Sequence, residues 1–348
     1  MFADPTGGRF PGRSQVGQPD ADGAIRLTDS DAALARYSAV QKHYFNDPFI
    51  RPLLSRGAQY QPPRPPLINV GTYVRSEAID SLVNEWLSLS QAEGKKCQIV
   101  SLGAGSDTRF WRIATGPQKD VLASYIELDF AENTTKKAMA IRKSRELSIP
   151  LGKPEDIKIT HCGSALNSSV YHLVPADMRL PPADTLPPLL CPKGQPGILS
   201  PDLPTLLLFE CVLSKSSTIL GGVVYEMFGL NDSFGRVMLN NLKARNVDLP
   251  GVEPYPSFQS LPSRFLNRGF DASVALTLKQ IRTTCISSEE LQRISHLELL
   301  DELEELELVL QHYAITWGLK LYNRERGLNA AWNTWGLKPY HETREDEY

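Results

Sequence analysis

Residues 97–105 read CQIVSLGAG, an apolar run that stops at glycine, one residue, glycine. A short run of this kind, bounded by a turn, is a strand with both faces covered. Glycine lets the chain bend sharply at its end, and lets a ligand approach with no Cβ in the way. The third glycine of a G-x-G-x-x-G fingerprint would fall on Thr108, so a pyrophosphate seat on a helix N-terminus is not supported. The next apolar run, YIELDF (125–130), carries Glu127 and Asp129. Alternation puts both on one side, with Asp129 nearer the carboxyl end. A carboxylate there can accept hydrogen bonds from both hydroxyls of a ribose. The plainer alternatives are a helix cap for Asp129 and a surface position for Glu127.

A glycine turn followed by such an acid indicates a nucleoside cofactor. The missing third glycine favours S-adenosylmethionine over a dinucleotide. The first has a sulfonium and an amino acid end where the second has phosphates. A nicotinamide-dependent oxidoreductase is therefore the weaker reading.

Strands and helices alternate around this pair. Residues 28–45 have helical spacing, and a second helix starts near Ser76. Residues 132–147 form a basic amphipathic helix. Residues 157–162 read as the third strand, 205–213 as the fourth and 222–228 as the fifth. A helix follows over 232–245, then strands over 270–278 and 313–321. Residues 287–312 read as one long helix, opened by Ser287 and Glu290 as a capping box. The alternation predicts an α/β fold with a doubly wound, mostly parallel sheet. Ligands then bind at the carboxyl ends of the strands, where strand order reverses. The expected organisation is a disordered tail over 1–27, one domain over 28–325 and a loose tail over 326–348. Residues 28–92 form a helical lid on that domain.

Composition narrows the function classes. Lys+Arg 37 against Asp+Glu 40 gives a net charge of −3, with no basic excess to suit nucleic acid or an anionic membrane. The longest apolar runs fall far short of the ~20 residues that span a bilayer. The N-terminus has no signal pattern. Five scattered cysteines without C-x-x-C predict reduced thiols in a cytoplasmic or nuclear setting, with no disulfide framework and no zinc site. The six histidines form no H-x-x-x-H pair, so no metal is expected.

The blocks LGAGSDTRFWR (102–112) and YIELDF (125–130) resemble the leucine carboxyl methyltransferases. So do QKHYFNDPF (41–49), GTYVRSEA (71–78), PADMR (175–179), PTLLLFECVL (204–213), DSFGRVMLNNL (232–242) and LELLDELEEL (297–306). They fall in order across nearly the whole folded chain. The resemblance implies a class I, Rossmann-like methyltransferase fold with added N-terminal helices. It implies S-adenosyl-L-methionine as cofactor. The substrate it implies is the C-terminal leucine of the protein phosphatase 2A catalytic subunit, esterified by a cytoplasmic monomer. Carried onto this chain, Lys42 and Arg75 meet the amino acid end of the cofactor, Arg75 at its carboxylate. Gly103 lies against the ligand and Asp129 holds the ribose hydroxyls. Asp177 and Met178 flank the adenine, where the family has Asp-Leu, and Glu210 sits near the amino end. No residue is assigned to catalysis beyond positioning, for which Arg75 is the candidate.

One stretch departs from the family. Between ECVL (210–213) and GVVYEMF (222–228) stand only SKSSTILG. A parallel crossover takes about a dozen residues or more, so the family's helix and the tyrosine that follows its ECVL are missing. The sheet is expected to lose a covering layer and to expose apolar surface. A binding-only member that still recognises the phosphatase tail is the alternative reading. The chain is expected to be less stable than its relatives, or to need a partner. A cooperative melt at the ordinary mesophile range of about 45–65 °C would contradict this.

Overall fold

The apolar runs pair into one nine-stranded sheet. The computed structural model describes residues 21–181, 197–209, 219–247, 249, 252–322 and 331–340. The strands are β1 Cys97–Leu102, β2 Leu122–Asp129, β3 Lys158–Thr160, β4 Ala165–Asn167, β5 Tyr171–Pro175, β6 Thr205–Phe209, β7 Ile219–Met227, β8 Ala272–Thr277 and β9 Tyr313–Leu321. They lie in the order β3-β4-β5-β2-β1-β6-β7-β9-β8. The five strands from β5 to β7 are parallel. β9 runs antiparallel to β7 and to β8. Strand order reverses between β1 and β6, as the doubly wound reading requires.

The third strand is a correction. Residues 158–160 form an exposed edge strand, antiparallel to β4. The parallel neighbour of β2 is β5, whose sequence YHLVP has a histidine inside and a proline at its end. Those residues hide a buried strand from propensity, and pairing overrides it.

The helices are α1 Ala21–Gln41, α2 Ile50–Leu53, α3 Pro66–Ala92, α4 Arg109–Ala114, α5 Ala131–Lys143, α6 Arg145–Ser148, α7 Ser233–Ala244, α8 Ser263–Leu266, α9 Leu278–Thr284, α10 Ser288–Ser295 and α11 Leu303–Gln311. α1 begins inside the segment expected to be a disordered tail. α3 begins at Pro66, where a proline at the first position suits a helix, well before Ser76. The single helix expected over 287–312 is two. Ser287 does cap the first, accepting from the Glu290 N–H at 3.1 Å. The break follows from Glu298, which leaves the helical path to accept from Asn69 Nδ2 at 2.7 Å and to pair with Lys42. Leu299 is consequently 86% exposed, while Leu306 and Leu310 are buried.

Each face of the sheet carries an apolar cluster. Trp86 of α3 presses on β7, where a Cβ at Gly221 would come within 2.4 Å of its ring. The opposite face takes Phe265 of α8 against the paired Gly222 and Gly318, at 2.4 and 2.6 Å from the Cβ each would carry. Neighbouring glycines thus admit one aromatic ring on either side of the same strand. Trp332 and Trp335 pack edge-on against Trp86, with ring centroids 4.5 and 5.1 Å away. Both are buried, so this part of the segment expected to be a loose tail belongs to the core. β6 and β7 are adjacent and parallel although only nine residues, 210–218, link them. The expected exposure of the sheet is not found at the described positions: Val100, Ile126, Leu128, Leu207 and Val224 are all buried. Among the described residues Ala176, Met178, Ile198 and Leu199 pack against that face.

Glu127 corrects the surface alternative. It is fully buried on β2, paired with Lys137 of α5 at 2.5 Å, and accepts from the Tyr171 hydroxyl at 2.7 Å. Burial lifts its pKa from 4.5 to about 7 in spite of Lys137.

Two outcomes are expected. Trp86→Ala removes a ring that three elements share, and should cost about 3–5 kcal/mol in urea unfolding; a loss below about 1 kcal/mol would show that the ring is dispensable. The second concerns pH. Folded Glu127 keeps its proton up to about pH 7 and the unfolded chain releases it near 4.5. The folded state therefore binds the extra proton between those values, and its stability falls as pH rises through the window. Glu127→Gln should remove that slope, seen as a flatter change in urea midpoint from pH 5 to pH 7.5.

Candidate active site

The register brings the carboxyl ends of neighbouring strands level. Leu102 of β1 lies beside Leu128 and Phe209, and Asp129 lies beside Pro175. Gly103, Asp129 and Asp177 therefore stand at or just beyond the tips of three adjacent strands, next to the order reversal. Gly103 has φ +68°, a conformation that favours glycine, and donates its N–H to the Leu128 carbonyl at 2.8 Å. Nothing lies within 4 Å of where its Cβ would be. Gly105, at φ +44°, donates to Asp129 Oδ2 at 2.7 Å. Asp129 Oδ1 accepts from the Phe130 N–H at 2.7 Å and Asn133 Nδ2 at 2.9 Å. A carboxylate offers about four acceptor positions, so these three bonds leave one on Oδ2.

α1 lies across this turn. Asp29 accepts from the Ser106 N–H at 2.7 Å and from its hydroxyl at 3.1 Å. A Cβ at Gly105 would sit 2.2 Å from the Asp29 carboxylate, so a side chain here would push Asp29 off Ser106, besides the strain of its φ. Burial raises the Asp29 pKa in spite of the Ser106 bonds. Arg36 fixes the same helix further along. It pairs with Asp47 at 2.5 Å and donates to Ser76 Oγ at 3.1 Å, while Thr108 donates to Asp47 at 2.5 Å. Asp29 and Asp47 did not stand out in the sequence, where each is one acid in a polar stretch.

Behind the turn, Asp80 of α3 takes Arg109 Nε at 2.8 Å and Arg112 Nη2 at 3.0 Å. Burial alone would raise its pKa; the two guanidiniums hold it well below the usual carboxylate range. Arg109 also pairs with Asp107, and Lys137 Nζ donates to the Asp107 carbonyl at 2.8 Å. Buried charge of both signs thus fixes the backbone of the turn from below.

The remaining expected residues are placed unevenly. Arg75, half-buried on α3, lies with Cζ 5.2 Å from the Tyr225 ring on β7. No carboxylate or carbonyl among the described residues is bonded to it. Asp177 is held by Arg179, whose Nε and Nη2 donate to its two oxygens at 2.9 and 2.7 Å. Arg179 in turn lies over the Phe130 ring at 5.1 Å. Met178 packs into the apolar cluster on that face. Lys42 is paired with Glu298 at 3.2 Å, away from the glycine turn in its contacts. Glu210 lies outside the described residues, one position beyond the end of β6. No cluster of metal-ligating side chains occurs among the described residues.

Comparison with known proteins bears on this arrangement. A family model described as leucine carboxyl methyltransferase matches residues 24–214. Leucine carboxyl methyltransferase 1 of Cryptococcus neoformans var. neoformans serotype D (strain JEC21) is 43% identical over 340 residues, covering 86% of this chain and 94% of that one. The protein of the same name from Emericella nidulans is 35% identical over 360 residues, covering 89% and 90%. That of Schizosaccharomyces pombe is 35% identical over 310 residues, covering 84% and 93%. The solved plantazolicin methyltransferase BpumL, in complex with SAH, is 12% identical with a TM-score of 0.35, covering 86% of this chain and 100% of that one, too low a likeness to argue from. The family model takes in more than half of the chain, including the glycine turn and the acids at the strand tips, and the relatives match almost end to end. The chain belongs to the leucine carboxyl methyltransferase family.

Proposed function

We propose that this chain transfers the methyl group of S-adenosyl-L-methionine to the α-carboxylate of the C-terminal leucine of the protein phosphatase 2A catalytic subunit. The product is a leucine methyl ester, and the enzyme acts as a cytoplasmic monomer. Family membership is the observation that carries this reading.

The side chains suit the cofactor. Arg75 offers a guanidinium with no bonded anion among the described residues, matched to a carboxylate. Asp129 keeps one acceptor position for a ribose hydroxyl, fewer than the two hydroxyls expected from sequence. Gly103 leaves open space at the strand tip. When bound, the cofactor supplies a methyl group on a sulfonium, a good leaving group. The chain's own task is placement and exclusion of water. Asp29 and Arg36 hold α1 against one side of the turn and leave Gly103 exposed on the other. A terminal α-carboxyl has a pKa of about 3.5 and is already ionised at neutral pH, so no general base is required. The site fits this, since none of its described carboxylates stands free as a base: Asp29, Asp47, Asp80 and Asp129 are all engaged.

A second reading rests on the nine-residue link between β6 and β7. A member without the family's crossover helix could bind the phosphatase tail and not the cofactor. Calorimetry with S-adenosylmethionine separates the two.

The direct test is transfer of labelled methyl to purified phosphatase, with a phosphatase lacking its terminal leucine as control. Label in the first and none in the second is expected; label in neither overturns the proposal. The chemical step should vary little with pH, and a steep dependence with a pKa near 7 would require a base. Arg75→Leu should lower kcat/KM by roughly 10- to 100-fold, the usual cost of a hydrogen bond to a charged group, with an unchanged melting temperature.

A further inference from the structure

Arg75 poses a physical problem. It projects from the middle of a long helix on a flexible side chain, and a guanidinium loses much rotamer freedom when it is held still. Its backbone is well anchored, since the next residue, Ser76, is buried and bonded to Arg36. Among the described residues its guanidinium has no ion pair or hydrogen bond, and lies against the Tyr225 ring. That ring follows Val224, which is paired with Phe209, the last residue of β6. Tyr225 therefore stands at the rim of the strand tips. It is itself held, because Tyr313 of β9 stacks on it with centroids 5.3 Å apart and planes 9° apart. Tyr313 is the diagonal neighbour of Tyr225 on the same sheet face, since Tyr225 is opposite Ile315.

An aromatic face attracts a guanidinium through its charge. A carboxylate partner would attract it too, but would also occupy its N–H donors and cancel its charge. The ring does neither, so it holds a cation in place while leaving all five donors for an anion. We infer that Tyr225, backed by Tyr313, is the positioning residue that aims Arg75 at the carboxylate of the bound cofactor. The inference rests on the proposed function, because it takes the anion to be the amino acid end of S-adenosylmethionine.

The test is calorimetry with two ligands. S-Adenosylhomocysteine carries the carboxylate; 5′-methylthioadenosine has the same nucleoside and thioether but no amino acid. Tyr225→Leu should weaken S-adenosylhomocysteine about tenfold, a loss in the range of one cation–π contact, and leave methylthioadenosine unchanged. Tyr225→Phe keeps the ring and should restore binding. Tyr313→Leu should weaken S-adenosylhomocysteine in the same selective way, which covers the case in which the Tyr225→Leu protein does not fold. Equal weakening of both ligands would make Tyr225 a structural residue and overturn the inference. So would an unchanged affinity in Tyr225→Leu, or a Tyr225→Phe protein as weak as the leucine variant. If Arg75→Leu binds S-adenosylhomocysteine normally, the inference falls together with the assignment of Arg75. If the unaltered protein binds neither nucleoside, it is the proposed function that falls first.

Discussion

The hydrogen bond from the Gly105 N–H to Asp129 sets the geometry of this molecule. It joins the end of β1 to the end of β2 by a link that needs a backbone turn with positive φ and a buried carboxylate. Once made, it fixes where Gly103 opens to the outside and where Ser106 presents its N–H to Asp29. α1 can then close on the turn, and the residues at either end of that helix fall into place. The bond also spares Asp129 an uncompensated burial, since two more donors saturate its other oxygen.

The charges beneath the turn extend the same logic. Asp80, Asp107, Arg109, Arg112, Lys137 and Glu127 lie close together under little solvent. Such clusters seldom add net stability over an apolar core of the same shape, because desolvation opposes attraction. They do make alternative arrangements expensive, since any slip of the turn would strand a buried charge. The arrangement holds the backbone of the glycine turn rigid.

Much of this was legible in the residues and some was not. CQIVSLGAG and YIELDF declare two buried strands and a glycine turn through hydrophobicity and backbone freedom alone, and Asp129 follows from its place at the strand end. β5 was hidden because YHLVP reads poorly as a buried strand, while the residues around 157–162 read well and form only an exposed edge. Asp29 was hidden by Asp31: the two acids stand in the same short stretch, yet one meets Ser106 and the other pairs with Arg64 and Arg245. Local sequence cannot separate them, because the distinction is made by what lies across the fold. The divided helix near Glu298 has the same origin, a tertiary bond that outweighs good helical periodicity.

The tryptophans at 332 and 335 tie a C-terminal stretch of the described residues to Trp86, in the first third of the chain. A polypeptide leaves the ribosome from its N-terminus, so that face of the sheet stays open until residues 332–335 have been made. Each nascent molecule must carry a bare indole on α3 through translation. A stop codon only a few positions upstream of Trp332 would make the condition permanent, yielding a protein that keeps every strand of the described sheet and bares a sticky aromatic surface for chaperones and proteases to find.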